Sequence, residues 1–335
     1  MSPAVIGVDL GGTKVAAARL HDAVLSDSVI EPTQLSSNQA LIEQLVGLVE
    51  QVRQSELDAV GIGVPSVVEF ATGRVVSSVN IPLADVPLRH VLGDRIGVPV
   101  YVDNDATVAA LAEAHDGELR PVARNLVMLT VGTGVGGGIV LDGRIYRGST
   151  GGAGELGQTI IGGDLTDSVP PPSQFPQPGS LEQLAAGHAL DVLGTQLAAA
   201  HPESELARRA GPDGRCPGPD VVAAARDGDP VAASAVDLWA RRLGIGIANA
   251  INTFDPDEVV IGGGGILAGE LLLGPATEVA RGYVNPGLGA RTSIRLARHG
   301  VRAGVLGAAL LAAHEIEDAQ RAPAAGAGAQ HADGA

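Results

Sequence analysis

The sequence predicts an α/β fold divided between two domains, on three observations. Strand-like stretches alternate with stretches of helical spacing through the first hundred residues, the pattern of sheets covered by helices. The order strand, glycine turn, strand occurs at the N-terminus and again about 120 residues later, with Gly12-Thr13 in the first turn and Gly132-Thr133 in the second. The length of 335 residues allows two domains of ordinary size, each with its own buried core.

Along the chain, residues 4–22 predict a strand, a glycine turn and a second strand, with residues 23–30 a third. Over residues 38–54, Leu41, Leu45, Leu48, Val49 and Val52 recur at helical spacing and form one apolar face. Residues 57–68 return to strand, and residues 98–117 predict a strand running into a helix closed by Gly117. The second domain opens near residue 106, and residues 123–148 repeat the N-terminal pattern. Residues 168–180 hold Pro170, Pro171, Pro172, Pro176 and Pro178, too many for regular structure, and predict a surface loop. A long helix from about Pro230 to Asn252 precedes a buried strand that ends in Gly262 to Gly265 before another helix. The low-complexity segment 321–335 predicts a disordered tail.

Composition narrows the function classes. A formal charge of −16 argues against a nucleic-acid or acidic-membrane surface, because both need basic patches to neutralise phosphates. Aromatic residues are only 2%, so the cores must come from aliphatic side chains. The single cysteine, Cys216, excludes an internal disulfide and a multi-thiolate metal site. The N-terminus lacks a basic leader region and Asp9 interrupts its apolar run; with no 18-residue apolar segment, the expectation is a soluble cytoplasmic protein.

Three glycine turns carry candidate chemistry. In Asp9-Leu10-Gly11-Gly12-Thr13-Lys14, a carboxylate at a strand end precedes amides and a hydroxyl. That set suits a polyphosphate with Mg2+, Asp9 holding the metal through water; an ordinary turn has the same sequence. Residues 129–138 place five glycines from Gly132 to Gly138, and Thr130, Gly132, Thr133, Gly134 and Gly136 offer a second set of donors to the same phosphates. A glycine-rich bulge is the alternative. Neither turn is a Walker loop or a dinucleotide fingerprint, since no Gly-Lys-Ser/Thr opens a helix and the second turn leads into strand. The third turn, with Gly263 and Gly264, would let a planar base lie against backbone, or would simply enter a helix.

Acids supply the rest. Asp103, Asn104 and Asp105 stand where a strand meets a helix, so Asp105 is a natural N-cap. The positive helix end also keeps a carboxylate ionised, as a group taking a proton from a sugar hydroxyl requires. Glu155 lies among glycines that cannot bury it, and Glu182 is either a polyol contact or a helix-start acid.

These residues resemble the ROK family of sugar kinases, within the actin-like ATPase and hexokinase superfamily of ribonuclease H-like folds. The resemblance runs from about residue 4 to about 315 and rests on GVDLGGTK (7–14), GVP (63–65), VNIPLADVPLRHVL (79–92), VYVDNDATVAALAE (100–113), LTVGTGVGGGIVLDGRIYRG (129–148), GGAGELG (151–157), SLEQLAAG (180–187) and VVIGGGG (259–265). It implies a small domain, 1–105, joined by a C-terminal helix near 305–318, a large domain, 106–304, and a cleft between them. It further implies transfer of the ATP γ-phosphoryl group to a hexose hydroxyl, usually on C6. Asp105 is then the catalytic base, and Asn80, Asn104, Glu155, Gln158 and Glu182 contact the sugar. Asp9, Gly11, Gly12, Thr13, Lys14, Thr133, Gly134, Gly263 and Gly264 position Mg–ATP.

The departures from the family pattern are specific. Gln158 occupies the position of a histidine that binds structural zinc, and the accompanying cysteine positions hold Ser173, Phe175 and Ser180, so no zinc site is expected. Asp103 replaces the usual Glu, and Ser66 a frequent Gly. With that histidine gone, the acceptor is expected to be glucose or a glucose-like amino sugar such as kanosamine. A non-catalytic sugar-binding or regulatory protein is the alternative. The family's DNA-binding repressors are disfavoured by the first strand's early start and by the acidic charge. A homodimer is what the resemblance suggests.

Overall fold

The computed structural model describes residues 3–54, 56–78, 80–163 and 175–321. The chain divides into two compact units, one made of the described residues up to Asp103 with those from Val305 onward, the other Asn104–Gly304. The first unit contains β1 (Val5–Leu10), β2 (Lys14–His21), β3 (Val24–Leu25), β4 (Val29–Pro32), α1 (Asn38–Val52), β5 (Ala59–Val64), β6 (Ser66–Glu69), β7 (Arg74–Ser78), α2 (Leu88–Ile96) and β8 (Val100–Asn104). The second carries α3 (Asp105–Glu113), β9 (Leu126–Val131), β10 (Val135–Leu141), β11 (Arg144–Ile145), α4 (Leu181–Ala185), α5 (Gly187–Ala200), α6 (Glu205–Arg209), α7 (Gly218–Arg226), α8 (Pro230–Phe254), β12 (Glu258–Gly262), α9 (Glu270–Tyr283) and β13 (Ser293–Leu296). The last helix, α10 (Ala303–Arg321), returns the chain to the first unit.

Both units are built on one topology. The first sheet runs β3-β2-β1-β5-β8, with β4 also on β2, and the second runs β11-β10-β9-β12-β13. In each, an antiparallel hairpin (β1/β2, β9/β10) lies beside a parallel strand (β5, β12), so each glycine turn closes the hairpin at the sheet's centre. The repeated sequence pattern is this repeated hairpin.

Burial follows the predicted periodicities. Leu41, Leu45, Leu48, Val49 and Val52 are the buried face of α1, and Ser37 caps that helix by accepting from the Ala40 amide at 3.1 Å. On the other face of the first sheet, α10 lies so close that a methyl group on Gly7 or Gly61 would collide with the Val305 or Ala308 carbonyl. The second unit's core is mostly aliphatic and includes Cys216 and the buried Trp239, whose Nε1 donates to the Ala185 and Ala186 carbonyls at 2.8 and 3.1 Å.

Several boundaries differ from the sequence expectation. The third strand, expected over residues 23–30, is two short strands, β3 and β4, both paired with β2. Gly117 does not close α3: the helix ends at Glu113 with Ala114 as its C-cap, because the chain turns there into a bridge between His115 and Pro121. Helix α8 runs on to Phe254, two residues beyond the expected Asn252. The glycines after β12 enter a 3-10 turn, Gly264–Ala268, before α9 begins. Pro170, Pro171, Pro172, Ser173 and the tail 322–335 lie outside the described residues. Among the described residues, no helix is long and apolar enough to cross a membrane.

Candidate active site

The first turn is held by its own backbone and by one side chain. The Gly11 amide donates to the Lys14 carbonyl at 2.9 Å, closing the turn between β1 and β2. Thr33 clamps it from the end of β4: its Oγ1 donates to the Gly11 carbonyl at 2.7 Å, and its amide to the Thr13 carbonyl at 3.1 Å. Thr13 and Lys14 are exposed, and Gly11 and Gly12 half-buried, as donors to a ligand must be. Asn80 is brought to this turn, since a Cβ on Gly12 would lie 3.3 Å from the Asn80 Cβ. Burial pushes the Asp9 carboxyl above the usual carboxylate range, against the opposing pull of the Lys14 charge. A carboxylate so poorly solvated is one that a hydrated Mg2+ would neutralise, so the donor set fits that ion.

The glycines of β10 are points of close approach for neighbouring parts of the chain. At Gly136 a Cβ would sit 2.7 Å from Thr130 Oγ1. At Gly138 it would sit 2.5 Å from the Ala106 carbonyl and 2.7 Å from the Ala110 Cβ, so this glycine is the seat of α3. Gly137 and Gly154 face one another, each leaving room for the other's carbonyl, and a side chain on Gly157 would strike the Val135 carbonyl. The strand is therefore cleared for protein backbone on both counts. One glycine strand mounts Asp105, through α3, and Glu155, through the Gly154–Gly157 segment.

Asp105 is the first helical residue of α3 rather than its cap. Asn104 is the cap, its Oδ1 accepting from the Ala106 and Thr107 amides at 2.9 and 3.2 Å, because its backbone is extended while that of Asp105 is already helical. The far end of α3 is fastened too. Glu113, 0% exposed, accepts from Arg295 Nη1 at 2.7 Å, the Arg298 amide at 3.0 Å and the His299 amide at 2.9 Å. A helix fixed at its start, middle and end holds the Asp105 backbone still.

Glu155, Gln158 and Glu182 form one group. Backbone bonds from Leu181 to Thr159 (2.8 Å) and from Ile161 to Gly179 (2.8 Å) tie their two segments together. Ser180 caps α4 by accepting from the Gln183 amide at 3.2 Å, and Leu181 fills the notch left by Gly246. Glu182 then accepts from Gln158 Nε2 at 3.3 Å and from the Val135 amide at 2.9 Å. The side chain of Glu155 is exposed, yet loss of solvation raises its carboxyl above the usual range, and the Glu182 charge adds to the rise.

In the second turn, the Gly132 amide donates to the Gly134 carbonyl at 2.9 Å, leaving Thr133 exposed at the tip. The third turn is its neighbour, because Gly262 pairs with Thr130, and a Cβ on Gly263, at φ 77°, would lie 2.5 Å from the Val131 carbonyl oxygen. Gly264 is exposed with open space around it, as a face for a ligand requires. The first amide of α5, from Gly187, donates to the Gly132 carbonyl at 2.7 Å. Among the described residues, no group of three or more His, Cys, Asp or Glu side chains is placed to hold a metal ion.

Sequence reasoning missed Thr33, the Glu113 anchor and the Trp239 clamp on Ala185 and Ala186. Only Trp239 carried a signal, as the one tryptophan in a core poor in aromatic residues. The partners of the other two are fixed by strand pairing and by contacts distant in sequence.

A family model described as the ROK family matches residues 5–315. A glucokinase from Halalkalibacterium halodurans is 37% identical over 317 residues, 90% of this chain and 92% of that protein. A xylose repressor from Caldicellulosiruptor bescii is 35% identical over 239 residues, 71% of this chain and 58% of that protein. Among solved structures, a ROK family glucokinase from Streptomyces griseus in complex with glucose and AMPPNP superposes with a TM-score of 0.74 at 30% identity. It covers 93% of this chain and 99% of that one.

Proposed function

Because the chain belongs to the ROK family, we propose that it transfers the γ-phosphoryl group of ATP to the 6-hydroxyl of glucose or of a glucose-like amino sugar such as kanosamine. An ATP-dependent sugar kinase of the hexokinase type is the class that its glucokinase relatives, matched over most of its length, support. The observation that carries the assignment is the mounting of Asp105 and Glu155 on one glycine-cleared strand, beside Gln158 and Glu182.

In the proposed reaction Asp105 accepts the proton of the sugar hydroxyl while that oxygen bonds to the γ-phosphorus. The bond from phosphorus to the bridging oxygen breaks, and ADP leaves with the electron pair. Asn80, Asn104, Glu155, Gln158 and Glu182 orient the sugar. Gly11, Gly12, Thr13 and Lys14 meet phosphate oxygens, as do Thr133 and Gly134, and Gly263 and Gly264 take the base. Mg2+, held by Asp9 through water, would neutralise phosphate charge. Such a reaction asks chiefly for alignment, which a rigid α3 supplies.

The acceptor is set by what faces it. Glu155 and Glu182 carry carboxylates, and Gln158 Oε1 is buried without a hydrogen-bond partner among the described residues, so the group is rich in acceptors and favours a donor such as an ammonium. A homodimer in the cytoplasm completes the proposal, with size-exclusion chromatography as its check. The deciding experiment is a coupled ADP-release assay with glucose, kanosamine, N-acetylglucosamine, mannose and fructose. Release with glucose or kanosamine is expected; strong preference for unmodified glucose removes the amino-sugar reading. No release with any sugar overturns the kinase and favours a non-catalytic sugar-binding protein.

A further inference from the structure

Glu182 carries two hydrogen bonds that lead in different directions. Oε1 accepts from Gln158 Nε2 at 3.3 Å, on the side assigned to the sugar, and Oε2 accepts from the Val135 amide at 2.9 Å, on the second glycine turn. The carboxylate is close against that turn, because a Cβ on Gly134 would lie 2.5 Å from Oε2. Gln158 is held weakly by comparison. Its bond to Glu182 is long, and its own Oε1 is buried with no partner among the described residues, an arrangement that costs stability until a donor is found.

We propose that Gln158 and Glu182 form a relay by which an occupied sugar site tightens the second glycine turn around the nucleotide. This rests on the kinase reading above and adds to it a positioning role for Glu182. A sugar hydroxyl or ammonium gives Gln158 Oε1 its missing donor by drawing the amide out of its resting orientation. The Gln158 hydrogen bond to Glu182 changes with it. Glu182, anchored through Ser180, Leu181 and the Trp239 clamp on α4, answers at its other oxygen, where it holds the Val135 amide and the position of Gly134. The coupling is reciprocal, so the nucleotide must tighten the sugar by the same factor.

The test is AMPPNP affinity with Mg2+, measured by calorimetry without and with saturating glucose. For the native chain, glucose is expected to tighten AMPPNP roughly 5–150-fold, the ordinary span of such coupling. Gln158→Leu, at a glucose concentration shown by titration to saturate that variant, reduces the coupling to less than about twofold, since the apolar side chain relays nothing. Glu182→Ala weakens AMPPNP about tenfold even without sugar, and Glu182→Gln restores it, because an amide oxygen still accepts from Val135. A native chain without coupling, a Gln158→Leu chain that keeps it, or a Glu182→Ala chain that binds AMPPNP normally overturns the relay. Should Glu182→Ala fail to fold, Gln158→Leu and Glu182→Gln carry the test. Glucose-dependent ADP release by the native chain, assayed alongside, separates loss of the relay from loss of the kinase reading.

Discussion

Replacing Gly138 with alanine tests how Asp105 is placed. The added Cβ would come to 2.5 Å from the Ala106 carbonyl, where ordinary contact begins at 3.4 Å, so the helix must retreat by about 0.9 Å. Ala106 is the neighbour of Asp105, and the cap at Asn104 and the anchor at Glu113 prevent the helix from tilting freely to absorb the shift. Overpacking of this kind costs about 1–3 kcal/mol of stability. At roughly 2–4 °C for each kcal/mol, that is a fall of about 2–12 °C in Tm. A misplacement near 1 Å at a reacting group costs on the order of 100-fold in rate. Steady-state assay of Gly138→Ala should therefore show kcat reduced about 100-fold while KM for ATP changes less than about threefold. A folded Gly138→Ala enzyme with native kcat would refute the claim that Gly138 places Asp105 by seating α3.

Three other outcomes follow from single contacts. Gly47 lies exposed within α1 with nothing in reach of a Cβ, so Gly47→Ala should raise stability by about 0.5–1 kcal/mol in thermal or denaturant melts and leave kcat unchanged. Thr33→Val removes the hydroxyl that holds the Gly11 carbonyl at 2.7 Å; KM for ATP should rise several-fold, with little change in KM for sugar. Glu155 has a raised carboxyl in the folded chain, so the folded state binds its proton more readily than the unfolded state does. Its destabilising effect is absent below the ordinary carboxylate range and fully developed once pH has passed through the raised value. Glu155→Gln should thus raise Tm at about pH 7 and not at about pH 4; equal gains at both would contradict lost solvation of the carboxylate as the cause.

What the sequence disclosed depended on the range of the interaction behind it. The apolar face of α1 is legible because Leu41, Leu45, Leu48, Val49 and Val52 repeat locally, and all five are buried. The two hairpin turns are legible because a strand, glycines and a strand suffice to specify each. The start of α3 was found at the right place, yet the division of labour was inverted. Asn104 and Asp105 both suit a cap, and only the backbone conformation decides between them. The glycines from Gly136 to Gly138 announced a close approach correctly, but what approaches is α3 and Gly154, which no local pattern names. Glu113 reads as an ordinary last-turn acid of a helix; its partner Arg298 lies 185 residues away. Gln158 stood out only by resemblance, through the histidine it replaces, and its bond to Glu182 depends on the bridge between Ile160 and Ser180.

In the proposed kinase, Asp105 is the group that takes the proton from the sugar hydroxyl. Asp105→Asn preserves the size and polarity of the side chain at the start of α3 and removes its basicity. Single-turnover ADP formation, measured beside calorimetric titration with AMPPNP and with the accepted sugar, separates chemistry from binding. The rate should fall roughly 10²–10⁴-fold while both affinities stay within about threefold of the native chain. Turnover within tenfold of native by a fully folded Asp105→Asn enzyme would contradict the assignment.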